Sequence, residues 1–458
     1  MKVLQIQHRA LKKLFPVRFP EPGQAIRPFT YLVTAQVPEG LLAYNAALCD
    51  CALLEGEEQE LLQYDTFPKE PPEALRKLLE LRFLVPAEQD DQVFCRKVLD
   101  GADLIRCLTA EKGYSGFTIL TTTACNARCF YCFEKGCKTD TMTPETASAV
   151  AEFILKYGNP KHVRLSWFGG EPTVNARVID QISDALTTAG REFSSTMISN
   201  GYLMDEKLVE KAAGPWKLKN IQITLDGTEE IYNERKAYVG IHGSAFQKVL
   251  NNIGLLLDAG IQVSIRLNVD KENVDDLCVL AAQLAERFRG KKNFSVYAHE
   301  IFDENKIPGE TYYERRSACQ TVSERLRELG FSFSRPLDGF PRITHCMADG
   351  GNGPLIMPDG SLNSCEHITR APAWGSIFQP CTRPEEVSAF WKERYPEQPE
   401  CRACKAYPTC IRLVHCETYS VCVPEMRSDA CNALEDQLRA TWNYAKTRSA
   451  PAKAMQEC

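Results

Sequence analysis

Thr121-Thr122-Thr123-Ala124-Cys125-Asn126-Ala127-Arg128-Cys129-Phe130-Tyr131-Cys132 follows an apolar, β-branched run and sets three cysteines in C-x-x-x-C-x-x-C spacing. The run before it reads as a strand, which places the cysteines on a loop at the strand's end. Three thiolates from one loop are a poor zinc set, because structural zinc takes four tetrahedral ligands. They suit a cubane iron–sulfur cluster with one iron left open to take a substrate.

Outward from this loop, residues 111 to 335 alternate strand-like and helix-like runs. The strands read Phe117–Thr123, Val163–Phe168, Ser195–Ser199, Ile221–Leu225, Gln262–Val269 and Phe294–His299. The helices read Pro144–Tyr157, Ala176–Ala189, Asp205–Ala213, Ala245–Ala259, Val274–Arg287 and Tyr312–Leu329. Gly158, Gly190, Gly214, Gly260, Gly290 and Gly330 stand where C-caps belong. Strict alternation predicts a parallel sheet with crossover helices, and six units predict a partial (β/α)6 TIM-like barrel. Active residues are then expected at the C-terminal strand ends.

The whole chain has 458 residues, enough for two or three domains. Hydrophobic residues make up 44% and charged residues 25%, as in ordinary globular proteins. A net charge of −6 argues against a nucleic-acid partner. No apolar run reaches transmembrane length, so no membrane partner is expected. Met1 to Phe19 is basic and mildly amphipathic without an apolar signal core, and the expected location is the cytoplasm. In that compartment the 20 cysteines serve metal or cluster ligation better than disulfides.

The unusual residues gather at the predicted strand ends. Gly169-Gly170-Glu171-Pro172 follows the second strand, Ser199-Asn200-Gly201 ends the third, and Gln222-Ile223-Thr224-Leu225-Asp226-Gly227 ends the fourth, with Arg235 beyond it. Arg266 and Asn268 alternate on the fifth and so share a face. In this order the motifs resemble those of the radical S-adenosylmethionine (SAM) enzymes. The resemblance implies that Cys125, Cys129 and Cys132 hold a 4Fe–4S cluster whose open iron binds SAM. Gly169, Gly170, Glu171 and Pro172 would meet the SAM amino group, and Arg235 its carboxylate. Asn200, Thr224, Asp226, Arg266 and Asn268 would complete the SAM site, with Tyr131 packed near the adenine. Ser199 stands for the family's Thr and Thr224 for its Ser; each swap keeps a hydroxyl. One-electron cleavage of SAM and hydrogen abstraction from the substrate are the implied chemistry.

Residues 1–110 read as a small α+β module. Two strands, Pro28–Val37 and Gly40–Leu54, meet at a Pro-Glu-Gly turn; helices are expected over Glu57–Tyr64 and Pro72–Leu81, and an exit strand at Phe83–Pro86. The module resembles the winged-helix-like recognition element of peptide-modifying enzymes, which implies a leader peptide bound by strand addition. Cys49, Cys51, Cys95 and Cys107 fit no ligand spacing.

Residues 336–458 carry Cys346, Gly360-x-x-x-x-Cys365, Cys401-x-x-Cys404-x-x-x-x-x-Cys410, Cys416 and Cys431. Such spacing is a strong metal signal, and a zinc ribbon is one way to use it. The layout resembles the SPASM extension of radical SAM enzymes, which implies two auxiliary 4Fe–4S clusters. Cys401, Cys404, Cys410 and Cys431 would hold the second, and Cys346, Cys365 and Cys416 the first. Five residues separate Cys410 from Cys416 where the family has three, which leaves Cys422 as an alternative. The first set lacks a fourth thiolate, so its last position is open, filled by Cys422, or filled by a substrate thiol. Glu366 stands where sulfatase-maturing relatives carry an acidic base. His345 and His415 sit beside ligand cysteines and His367 lies two residues from Cys365; all three read as supporting donors. Cys381 and Cys458 have no assigned role. Asn432–Ala445 reads as a closing helix, with a disordered tail after Thr447.

The resemblance implies a radical SAM/SPASM peptide maturase with three 4Fe–4S clusters and SAM. Its substrate would be a cysteine-containing ribosomal precursor peptide, its product a thioether crosslink of the sactipeptide or ranthipeptide type. Its electron donor would be a protein such as flavodoxin or ferredoxin. Formylglycine formation in a sulfatase, carbon–carbon or carbon–oxygen crosslinking, epimerisation, and a non-catalytic zinc-ribbon protein stay open.

Overall fold

A computed structural model describes the chain except residues 6–8, 137, 242, 302–310, 332–336, 338–339, 342–343, 345, 352, 368–372, 380–383, 411, 417–421, 423 and 450–458. His345, Cys381 and Cys458 therefore lie outside the described residues. The chain divides into two compact units. One comprises Met1–Ala110, Ser334–His345 and Trp391–Cys458; the other comprises Glu111–Phe333 and Cys346–Phe390. No helix among the described residues is long and apolar enough to cross a membrane.

The first unit opens with β1 (Lys2–Gln5), α1 (Arg9–Leu14), β2 (Ile26–Pro28), β3 (Leu32–Val37), β4 (Gly40–Asn45) and β5 (Cys51–Leu54). Then come α2 (Glu57–Glu60), α3 (Glu73–Glu80), β6 (Leu84–Pro86) and α4 (Asp91–Thr109). Four strands form an antiparallel sheet in the order β1-β5-β4-β3, and β2 pairs with β6. The expected strand Gly40–Leu54 is cut in two. Asn45 Oδ1 accepts from the backbone N–H groups of Ala47 and Leu48 at 3.1 Å each, an Asx turn that bends the chain. The run Pro28–Val37 breaks at a turn closed by the Leu32 N–H donating to the Phe29 carbonyl at 3.0 Å. Helix α4 was not expected from the sequence. Asp90 caps it by accepting from the Gln92 and Val93 N–H groups, and Cys95, Val98, Ala102 and Ile105 bury one face.

The second unit carries β7 (Gly116–Thr122), α5 (Pro144–Tyr157), β8 (Val163–Gly169), α6 (Ala176–Thr188), β9 (Phe193–Ser199) and α7 (Glu206–Ala213). It continues with β10 (Leu218–Leu225), α8 (Glu229–Lys236), α9 (Ala245–Asp258), β11 (Gln262–Val269), α10 (Val274–Arg287), β12 (Phe294–Glu300) and α11 (Tyr312–Glu328). Short elements follow: α12 (Met347–Gly350), β13 (Leu355–Ile356), β14 (Ser361–Asn363) and β15 (Gly375–Ser376). Strands β7 to β12 lie side by side in chain order, all parallel, as the alternation predicts. Thr143 and Pro144 open α5, Asp205 opens α7 and Ser244 opens α9, each capping oxygen accepting a backbone N–H. Of the expected helix-ending glycines, Gly190, Gly260, Gly290 and Gly330 take the left-handed conformation, whereas Gly158 and Gly214 do not.

The sheet extends beyond six strands. β13 joins β7 in parallel and carries β14 and β15 antiparallel at its other side, giving nine strands. Ile221, Ile223 and Leu225 of β10, and Val263, Ile265 and Leu267 of β11, are buried in the large core. Each such side chain contributes about 1.5–3 kcal/mol by leaving water. The alternate positions Gln222, Thr224, Ser264 and Arg266 are polar and half-buried on the opposite face.

Helix α13 (Pro384–Lys392) precedes the cysteine-rich stretch, and α14 (Pro424–Ser449) closes the described chain, longer than the expected Asn432–Ala445. Within the first unit α14 packs on β3 and β4. Leu434, Leu438 and Trp442 enter the same core as Tyr31, Leu42 and Leu53. Tyr407 stacks on Tyr31 with ring centroids 5.3 Å apart.

Candidate functional site

The cysteine loop leaves β7 through Thr122. Its hydroxyl accepts from the Ala124 N–H at 3.0 Å and donates to the Asp140 carbonyl at 2.8 Å, which turns the chain out of the sheet. The Ala127 N–H donates to Cys125 Sγ at 3.4 Å. Cys125, Cys129 and Cys132 are all half-buried. Burial pushes the Cys125 thiol up to about 11, and the nearby Glu171, Cys129 and Cys132 push it the same way. Burial raises Cys129 and Cys132 as well.

Gly169 and Gly170 lie against the back of this loop. A Cβ at Gly169 would come within 2.1 Å of the Thr122 carbonyl oxygen, and φ there is +119°. One at Gly170 would meet the carbonyl oxygens of Thr123 and Ala124 at 2.6 Å. The Gly170 and Glu171 N–H groups donate to the Thr122 and Ala124 carbonyls at 3.1 and 3.0 Å. Both glycines make room for the backbone of the cysteine loop itself.

Glu171 is fully buried. Its Oε1 accepts from the Thr173 N–H at 3.1 Å, from the Thr173 hydroxyl and from the Ser199 hydroxyl at 2.9 Å. Its Oε2 accepts from the Asn200 N–H at 2.7 Å, leaving acceptor capacity on that oxygen. The hydroxyl kept at position 199 thus ties the ends of β8 and β9 together. Asn200 in turn donates to Asn126 Oδ1 at 2.7 Å and approaches Cys125 Sγ at 4.0 Å. Pro172 is buried, and its carbonyl accepts from the Thr121 hydroxyl at 3.0 Å.

The Tyr131 hydroxyl, on a residue expected beside the adenine, donates to Asp226 Oδ2 at 2.5 Å and accepts from the Lys236 ammonium at 2.8 Å. Lys236 also pairs with Asp226 Oδ2 at 3.1 Å. Asp226 is fully buried and the Lys236 side chain 4% exposed. The sequence gives no cue to Lys236, since a lysine in the last turn of a polar helix normally reaches water. Arg235, expected to meet a SAM carboxylate, forks onto Asp270 at 2.6 and 3.1 Å and lies over the Phe130 ring.

Farther along the sheet, Arg266 Nε donates to Asn268 Oδ1 at 2.9 Å, and its Nη2 lies 3.0 Å from His299 Nδ1. Thr224 faces Arg266 in the β10–β11 register. Burial and the Arg266 charge push His299 down to about 4. The geometry also brings Glu366 to the cysteine loop. It faces Glu134, which burial and Glu366 push up to about 7. Both Glu134 carboxylate oxygens are buried and without a partner among the described residues. Phe133 stacks between Phe168 and His367, with ring centroids 6.2 and 5.0 Å away.

Residues 119–284 match the family model of the radical SAM superfamily. The chain carries a radical SAM domain. Over 242 residues it is 26% identical to the Fe-coproporphyrin III synthase of Methanosarcina barkeri (strain Fusaro / DSM 804), covering 51% of this chain and 56% of that one. Over 175 residues it is 30% identical to the radical SAM cyclopropyl synthase TigE of Paramaledivibacter caminithermalis, covering 34% of this chain and 36% of TigE. The chain thus spans little more than half of the first relative and about a third of the second. Among solved structures, native anSMEcpe with bound AdoMet and Cp18Cys peptide superposes with a TM-score of 0.55 at 16% identity, over 73% of this chain and 99% of that one. Streptococcus suis SuiB bound to precursor peptide SuiA gives 0.51 at 11% identity, over 86% and 100%. At these identities the likeness is one of fold.

Cys125, Cys129 and Cys132 put three thiols on one loop, the type of donor a cubane takes. No three His, Cys, Asp or Glu among the described residues converge on a single metal point. A cubane asks for a wider spread, since each thiolate takes its own iron. Asn126 Nδ2 and Asp226 Oδ1, beside the loop, are buried without a partner among the described residues and remain available to a bound group.

The other cysteines fall in two places. Cys346 and Cys365 belong to the second unit, with the radical SAM domain. Cys346 caps α12, its N–H donating to Asp349 Oδ1 at 2.9 Å. Cys401, Cys404, Cys410, Cys416, Cys422 and Cys431 belong to the first. Burial pushes the Cys404 thiol up to about 11, with Cys431, Cys410 and Cys422 adding to it. Burial raises Cys410, with Cys422 and Cys401 adding. These five thiols form one group, in which Cys422 stands beside the four cysteines of the expected second set. Cys401, Cys404 and Cys431 pack against the first unit's core. His415 Nε2 lies 2.9 Å from Glu393.

Proposed function

We propose that the chain is a radical SAM peptide maturase that joins a cysteine sulfur of a ribosomally made precursor peptide to a carbon of another residue. The observation that carries the reading is the grouping of five thiols in a unit separate from the cysteine loop, in a chain whose other unit holds a radical SAM domain. AnSMEcpe with its Cp18Cys peptide and SuiB with its precursor peptide support a peptide substrate. Cys125, Cys129 and Cys132 would hold the SAM-binding cluster. Asn200, Thr224, Asp226, Arg266 and Asn268 would line the SAM site, together with the spare lone pairs of Glu171. Cys401, Cys404, Cys410 and Cys431 would hold an auxiliary cluster, and Cys346 and Cys365 would contribute to another. When bound, cluster and SAM supply one-electron cleavage of SAM and hydrogen abstraction from the substrate.

The chain's own part is positioning and exclusion of water. Glu366 would take the thiol proton as general base, with Glu134 behind it. The antiparallel sheet of residues 1–110 would bind the leader, and a flavodoxin or ferredoxin would supply electrons. Formylglycine formation is the second reading, favoured by the fold likeness to anSMEcpe over nearly all of that chain.

Anaerobic co-expression with the peptide encoded nearest the gene decides between them. Loss of two hydrogens per bond, with cysteines no longer open to alkylation, is the expected result. An unmodified peptide from an enzyme that cleaves SAM, together with conversion of a sulfatase cysteine or serine to the aldehyde, would overturn it.

A further inference from the structure

We propose that Lys236 is a positioning residue for the SAM-binding cluster, fastening the cysteine loop to the end of β10 through its backbone carbonyl and its buried ammonium. The inference rests on the radical SAM reading of that loop. The Lys236 carbonyl accepts from the Arg128 N–H at 2.9 Å, and the Cys129 thiol lies 4.0 Å from the same oxygen. The Lys236 ammonium reaches forward to Tyr131 at 2.8 Å and down to Asp226 at 3.1 Å. It also lies over the rings of Tyr131 and Tyr232, at 5.4 and 5.9 Å from their centroids.

The next residue, Ala237, takes the left-handed conformation with φ 44°. The turn brings the Val239 N–H to the Asn126 carbonyl at 2.9 Å. Residues 236 to 239 therefore hold the loop at Asn126, Arg128, Cys129 and Tyr131, on both sides of the central cysteine. A lysine buried at the end of a polar helix needs a reason, because an ammonium leaves water only where charge and hydrogen bonds replace it. Here the replacement comes from two residues, Tyr131 on the loop and Asp226 on the strand end. Neither is brought to the other by sequence proximity. Lys236 makes the contact between them a charged one.

Lys236→Met removes the ammonium and keeps the length and the apolar stem. In the anaerobically reconstituted full chain, chelator-driven iron loss from the SAM-binding cluster should rise roughly 10- to 100-fold, as when a residue supporting a metal ligand is removed. The change that added SAM produces in the paramagnetic resonance spectrum of the reduced protein should also alter, because the cluster no longer sits in one geometry. The iron held by the C-terminal thiols should leave at the unchanged rate. Wild-type iron loss and a wild-type SAM response in Lys236→Met would overturn the proposal.

If Lys236→Met does not accumulate as folded protein, Tyr131→Phe decides, since it keeps the ring and deletes only the hydroxyl that Lys236 binds. It should accelerate iron loss in the same direction, and an unchanged rate would overturn the proposal. A wild-type protein whose spectrum does not respond to SAM would instead overturn the radical SAM reading itself.

Discussion

Cys125, Cys129 and Cys132 share one loop at the end of β7, whereas Cys401, Cys404, Cys410, Cys422 and Cys431 are gathered from a longer stretch that crosses short helical turns into α14. The first group is held by polar bonds from the neighbouring strand ends: Thr122, Asn200, the Lys236 carbonyl and the Tyr131–Asp226–Lys236 cluster. The second rests on an apolar core, with Tyr407 stacked on Tyr31 and Leu434, Leu438 and Trp442 beneath the antiparallel sheet. One site is positioned by hydrogen bonds, which fix distance and direction. The other is positioned by packing, which ties it to the stability of its unit.

Cys129→Ala attacks the polar site directly. SAM cleavage should fall to background, since two thiolates hold a cubane poorly, while the fold of both units persists. Chromatography of 5′-deoxyadenosine measures this, and release at the wild-type rate would remove the loop from the chemistry. Cys404→Ala attacks the packed site. It should retain SAM cleavage within about threefold and lose peptide modification and one cluster's iron, with about 1 kcal/mol of destabilisation from the lost burial. Cys422→Ala should keep its iron, since Cys401, Cys404, Cys410 and Cys431 already supply four thiolates; iron loss in that variant would make Cys422 a ligand.

The barrel unit's dependence on polar contacts should also show in its response to acid. His299 is held neutral, down at about 4 against an unfolded value of 6.5. Its contribution is fully present above pH 6.5 and is lost as pH falls through 6.5 toward 4, because the unfolded chain binds the proton first. The loss is of the order of 3 kcal/mol at most. Denaturant titrations between pH 7 and 4 should show a shallower decline for His299→Gln, and parallel curves would count against the neutral buried ring. Gly170→Ala should have a smaller effect, about 1–3 kcal/mol, as its Cβ forces two loop carbonyls to move. Retained stability with lowered SAM-cluster iron would locate the strain in the loop alone.

Much of the barrel was legible because each unit repeats a local pattern. The boundaries of α5, α10 and β11 are those the sequence predicts, where caps, period and turn residues agree. Helix α8 carries no sequence signal because only Tyr232 and Lys236 of its residues are buried, too few to show a period. In α4 the buried positions Cys95, Val98, Ala102 and Ile105 do carry a helical period, but Gly101 and the surrounding charges obscure it. Residues Gly40–Leu54 read as one strand because the Asn45 turn lies among apolar residues rather than in a polar loop.

The candidate site divides along the same line. The sequence by itself determined the parallel order of β7 to β12, the cysteine loop and the motif residues at the strand ends, because period and spacing are properties of adjacent residues. Only the tertiary structure decided that Gly169 and Gly170 make room for the loop's own backbone, that Lys236 is buried against Tyr131 and Asp226, and that Glu134 faces Glu366. It alone decided that residues 391–458 fold with residues 1–110. Those outcomes depend on which surfaces meet after the chain has turned back on itself, and on where a charge can be neutralised once water is excluded.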